Sequence, residues 1–122
     1  MATILVVDDE KPVRQFLVAA FEQEGHLVLE AWHGQHALHV IAGHPTRLDL
    51  VVADVMMPLM GGVELCKTLR GDPATAGIPI VLMSAAHLAA TAGAGADAII
   101  GKPFDLDALD VLVSRLIAAP GH

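Results

Sequence analysis

Tyrosine is absent, tryptophan and cysteine each occur once, and aromatic residues make up only 3% of the 122-residue chain. That scarcity excludes a platform of rings on which single-stranded bases could stack. Positive charge is also sparse. Seven Lys+Arg face 14 Asp+Glu, for a formal net charge of −7, and the basic residues form no cluster. A phosphate backbone repels such a chain, so no direct nucleic-acid partner is expected. Cys66 has no second cysteine to pair with, which fits a reducing compartment, and its place in a helical pattern reads as packing. No apolar run approaches the ~20 residues that span a bilayer. Met1-Ala2 leads straight into an apolar strand, not a basic cleavable leader. The expectation is one cytoplasmic domain over residues 1–122, with no membrane partner, linker or repeat.

What is present is apolar and ordered in pattern: 54% of the residues are hydrophobic. Short apolar runs at Ile4–Val7, Leu27–Ala31, Leu50–Ala53, Ile78–Met83 and Ala98–Ile100 read as strands covered on both faces. Between them lie helical patterns at Pro12–Glu24, Gly34–Ala42, Gly62–Arg70, His87–Ala92 and Asp105–Ala118. Pro12 suits a first turn, Gly25 a stop and Asp105 an N-cap. The order is βα five times. Right-handed crossovers make that a doubly wound parallel α/β sheet, whose ligands bind at the carboxyl ends of the strands.

Five polar residues fall at that edge: Asp8 and Asp9 after the first strand, Asp54 after the third, Ser84 after the fourth and Lys102 after the fifth. Singly, each has a plain reading as a cap, a turn former or an exposed charge. Together they describe chemistry. Two unit charges ~4 Å apart interact by about 4 kcal/mol at an effective dielectric of 20, so bare carboxylates here are strained until a cation neutralises them. Oxygen donors suit Mg²⁺. Asp54 can then act as a nucleophile toward phosphorus, with Lys102 pairing to phosphoryl oxygens and Ser84 hydrogen-bonding one of them.

These segments resemble the receiver domains of response regulators in two-component signalling. The matching stretches are Leu5-Val6-Val7-Asp8-Asp9-Glu10, Asp54-Val55-Met56-Met57-Pro58-Leu59-Met60-Gly61-Gly62, Met83-Ser84-Ala85, and Gly95-Ala96-Asp97 followed by Lys102-Pro103-Phe104. The resemblance implies a flavodoxin-like (βα)5 fold with strand order 2-1-3-4-5. It implies that Asp54 is the phospho-acceptor. It also implies that Asp9, Asp54 and the backbone carbonyl of Met56 hold Mg²⁺ with help from Asp8, while Lys102 and Ser84 meet the phosphoryl group. The implied phosphodonor is a sensor histidine kinase or histidine phosphotransfer protein. The implied output is a downstream protein docked on the face of the fourth helix, fifth strand and fifth helix. Such a domain is no enzyme, beyond catalysing its own phosphoryl transfer and hydrolysis.

The chain departs from that pattern in places. Ile99 stands where the family carries an aromatic residue three positions before the lysine, so no ring can swing inward on activation. Gly101 replaces a bulkier strand residue before Lys102. The Ser84–Lys102 interval is roughly one helical turn short, which predicts a shortened fourth helix around Ala92-Gly93-Ala94-Gly95. These departures motivate an alternative, a receiver-fold interaction module that no longer switches. Met56 and Ala86 offer no group to position an attacking water, so slow self-dephosphorylation is expected. A phosphatase of the haloacid-dehalogenase type would need D-x-D after the first strand, and a flavodoxin-like cofactor binder would need a Ser/Thr/Gly-rich loop there; this chain has Asp8-Asp9-Glu10. His33, His36 and His39 read as a solvated polar face before they read as zinc ligands, and Trp32 as a partly buried packing residue.

Overall fold

The computed structural model describes residues 2–44, 47–85 and 95–118. Its elements run β1 (Thr3–Val7), α1 (Lys11–Gln23), β2 (Leu27–Ala31), α2 (Gly34–Gly43), β3 (Leu50–Asp54), α3 (Gly62–Arg70), β4 (Ile80–Ser84), β5 (Ala98–Gly101) and α4 (Leu106–Ala118). The helix expected at His87–Ala92 lies outside the described residues, as does Ala86.

All strands are parallel, as the α/β reading required, and lie in the order β2-β1-β3-β4-β5 that the receiver resemblance implied. Every residue of β3 and β4 is buried. Alternate side chains serve opposite faces. Leu5, Val7, Val51, Ala53 and Leu82 pack against Ala37 of α2 and Leu65, Cys66 and Leu69 of α3. Ile4, Val6, Val52, Val81 and Met83 pack against Leu17 and Phe21 of α1 and Leu109 and Val113 of α4. Two apolar layers explain why the strands read as unbroken hydrophobic runs instead of alternating ones.

The helix ends follow local chemistry. Pro12 sits in the first turn of α1, where a missing N–H costs no helical bond. Gly25 adopts φ +91°, the left-handed conformation that stops α1. Asp105 accepts a hydrogen bond from the Asp107 N–H (3.0 Å) and so caps α4. One boundary moves. β4 starts at Ile80, not Ile78, because the Ile78 N–H turns back to the Thr75 carbonyl and Pro79 has no N–H to give. No described helix is long and apolar enough to cross a membrane.

Arg70 ties the far end of the sheet. Its guanidinium donates to the carbonyls of Gly95, Ala76 and Ile78 and to Asp97 Oδ2 (2.7 Å). The same Asp97 oxygen accepts the Ile80 N–H. The C-terminus of α3 is thereby fastened to the starts of β4 and β5.

Candidate functional site

Parallel pairing brings the strand ends together. Asp8 leaves β1 with its N–H donating to the Ala31 carbonyl of β2 (3.1 Å). Its Oδ1 accepts from the Glu10 N–H (2.9 Å), and the residue is 0% exposed. Asp54 ends β3 and is 5% exposed. Ser84, also buried, ends β4 and pairs with Gly101 of β5. The Lys102 N–H donates to the Ser84 carbonyl (2.7 Å), which aims the next side chain across the edge. Lys102 Nζ reaches Asp54 Oδ1 at 3.0 Å, Asp8 Oδ2 at 3.2 Å and Glu10 Oε1 at 3.9 Å.

Three carboxylates thus surround one ammonium. Burial pushes the Asp54 carboxyl above its usual range. The bond from Lys102 opposes this, and the charges of Asp8 and Asp9 reinforce it. Burial works against the Lys102 charge, but its bonds and its attraction to Asp54 and Asp8 prevail, and its pKa is raised. Oxygen atoms of Asp8, Glu10 and Asp54 lie within 4.8 Å of one another. Among the described residues this is the one cluster of three acids, histidines or cysteines placed to hold a metal ion. Its donor set is all oxygen, which fits a hard divalent cation.

The expected residues therefore converge, with one substitution in the cluster. Glu10 joins Asp8 and Asp54, while Asp9 is exposed and acts on Asp54 through its charge. Glu10 is itself exposed, and the turn geometry that brings its carboxylate within reach of Asp8 and Asp54 is a three-dimensional property; only adjacency to Asp8 could have signalled it. The Met56 side chain projects outward, 76% exposed. Arg14 was also missed. Buried, it donates from Nη1 to the Asp8 carbonyl (2.9 Å) and from Nε to Glu30 Oε1 (3.0 Å). No local pattern in the sequence marks it, because its partners lie on another strand and in another loop. Ile99, in the aromatic position, is partly buried and packs on the α2–α3 side of the sheet. An open apolar groove of about 530 Å³ adjoins Lys102, lined by Pro12, Val13, Phe16 and Phe104 among others.

The histidines take structural roles. His33 occupies the N-cap of α2, and its Nδ1 accepts the His36 N–H (3.1 Å). His36 Nδ1 accepts the Trp32 N–H (3.1 Å). Trp32, expected to be partly buried, is 51% exposed. Its ring stacks on His36 with centroids 4.1 Å apart, and the Arg14 guanidinium lies 5.6 Å from its centroid.

Known proteins share this sequence pattern and this fold. The model of the response regulator receiver domain matches residues 4–114. The phosphate regulon transcriptional regulatory protein PhoB of Pseudomonas aeruginosa is 39% identical over 106 residues, covering 84% of this chain and 45% of that protein. The chain spans between a quarter and a half of the length of the curated relatives it matches. The receiver domain of a signal transduction histidine kinase from Syntrophus aciditrophicus superposes with a TM-score of 0.90 at 29% identity, covering 100% of this chain and 96% of that one. The response regulator TrrA of Thermotoga maritima, solved in complex with Mg²⁺ and BeF, superposes with a TM-score of 0.83 at 31% identity, covering 95% and 99%. Receiver domains are signalling modules, not metabolic enzymes. On the family match and the acid–lysine edge together, this chain belongs to the response-regulator receiver domains, the phospho-accepting switches of two-component systems.

Proposed function

We propose that Asp54 is the phosphoryl acceptor, taking the group from a phosphohistidine on a sensor histidine kinase or histidine phosphotransfer protein. The observation that supports this best is the Lys102 ammonium, which bridges Asp54 Oδ1 and Asp8 Oδ2 at one strand edge. In the transfer, the donor's P–N bond breaks and a P–O bond forms at an Asp54 carboxylate oxygen. The released imidazole regains a proton. Lys102 leaves its ion pair with Asp54 for the new phosphoryl oxygens, and Ser84 supplies a hydroxyl donor from the neighbouring strand end. Mg²⁺, when bound, contributes positive charge to those oxygens. Asp9, Asp54 and the Met56 carbonyl would hold it, with Asp8 assisting, and Glu10 is a further acid on the same turn. Hydrolysis later returns inorganic phosphate and a free Asp54 carboxylate. Met56 brings no group to position that water, so the acyl phosphate outlasts a few seconds.

Phosphorylation exchanges one negative charge at Asp54 for roughly two on a bulkier group. Contacts made only in that state are what a two-state population shift needs. Output goes to a protein bound across β5 and α4, in the cytoplasm, where the buried Cys66 thiol stays reduced. The whole domain, residues 1–122, works as one receiver.

Incubation with acetyl phosphate, with and without Mg²⁺, followed by intact mass, tests the reading. A Mg²⁺-dependent phosphoryl adduct absent from Asp54→Asn is expected. No adduct, under conditions that label another receiver, would instead favour the non-switching module that Ile99 suggests.

A further inference from the structure

The turn between β2 and α2 touches both acidic loops. At its β2 end the Ala31 carbonyl accepts the Asp8 N–H (3.1 Å), and at its α2 end the Gly34 N–H donates to the Met60 carbonyl (2.8 Å) in the loop that follows Asp54. No side chain larger than hydrogen fits at residue 34, since a Cβ there would collide with Met60. The turn itself is held by two imidazoles. His36 Nδ1 accepts the Trp32 N–H, and His33 Nδ1 accepts the His36 N–H, each at 3.1 Å.

An imidazole nitrogen accepts a hydrogen bond only while it carries no proton. Both rings therefore keep their proton on Nε2 here. An imidazolium in either place would point a second N–H at a backbone N–H. It would also stand at the positive end of α2, where the helix dipole opposes a cation. We propose that the β2–α2 turn is a proton-operated brace of the acidic site: the His33 and His36 rings, each accepting a backbone N–H, hold it against the loops of Asp8 and Asp54, and protonation of His36 releases it.

The surrounding charges set the range. His33 and His39 on α2 and Arg14 on α1 all act against a charge on His36, and burial acts against it most. Glu30 on β2 is taken by Arg14 (3.0 Å), and the β3–α3 loop presents a backbone carbonyl, that of Met60. His36 accordingly titrates below the usual imidazole range, burial being the largest cause, so the brace opens only on acidification.

Trp32 makes the device visible, because it is the sole tryptophan and the chain has no tyrosine. Fluorescence and ¹⁵N–¹H spectra between about pH 8 and 5 would follow it. The expected result is one transition, shared by Trp32 emission and the amides of Trp32, Gly34, His36 and Asp8, with the midpoint of the His36 ring protons. In His33→Asn/His36→Asn, side-chain oxygens replace the acceptors without a titrating group, and the Gly34 and Asp8 amides should then stay still over that range. Gly34 and Asp8 amides that ignore the imidazole titration in the unaltered protein would overturn the proposal. So would a transition that persists in the double variant, since the site's own carboxylates would then be its cause. Should the double variant not fold, the comparison of imidazole and amide midpoints in the unaltered protein decides alone.

Discussion

Lys102 Nζ lies 3.0 Å from Asp54 Oδ1, with the lysine side chain 15% and the aspartate side chain 7% exposed. Each group is the other's principal compensation for leaving water. Lys102→Met should lower the rate of Asp54 labelling by acetyl phosphate on the order of 10²-fold, the usual loss when one preorganised charge is removed. The Lys102 pKa is raised in the fold, so its share of stability is fully present below the unfolded lysine value of about 10.4 and is lost as pH rises through the folded value. Melting curves from pH 8 to 11 should converge for the native protein and Lys102→Met at the alkaline end.

Asp54→Asn tests the opposite sign. A carboxyl whose folded pKa is raised destabilises the fold when ionised, fully so above the folded pKa. The neutral amide removes the cost of burying that charge and, with it, the weaker repulsion from Asp8 and Asp9. Thermal denaturation at pH 7 should show a higher Tm for the variant, even as phosphorylation is abolished.

Gly62 opens α3 directly behind Asp54. A Cβ there would strike the Asp54 carbonyl and press on Leu82. Gly62→Ala should cost about 1–3 kcal/mol by overpacking, read from urea unfolding, and should slow labelling because the Asp54 backbone must move.

Arg70→Ala should destabilise by about 2–4 kcal/mol, since three carbonyls and Asp97 lose a charged donor together. Amide exchange should quicken first at Ile78 and Gly95, and the Asp54–Lys102 edge at the other end of the strands should keep its labelling rate.

Cys66 is 0% exposed, and burial pushes its thiol pKa up. Alkylation by iodoacetamide at pH 8 should therefore wait for unfolding, and its rate should follow denaturant concentration.

Most of the architecture was legible because it is written in local pattern. Five apolar runs alternating with amphipathic stretches demand strands covered by helices on both faces, and Val51-Val52-Ala53 then has only one place to empty Asp54. The strand ends collect at one edge, so Asp8, Asp54, Ser84 and Lys102 were identifiable as neighbours without coordinates. Asp105 as a cap and Gly25 as a stop were legible for the same reason: each acts within a few residues of itself.

Other features belong to the tertiary structure alone. Whether Asp9 or Glu10 turns toward Asp54 depends on how Asp8 is pinned from β2 and Lys102, the latter 94 positions away. Arg14 became a buried support of Asp8 only because Glu30 and Trp32 on the adjoining strand and turn lie within its reach. His33 and His36 had the spacing of metal ligands, but backbone N–H groups took their lone pairs first. Periodicity determines which face of an element is apolar. It says nothing of which polar side chain a turn delivers to a neighbour, because that choice is made by hydrogen bonds between elements that meet only after the sheet has closed.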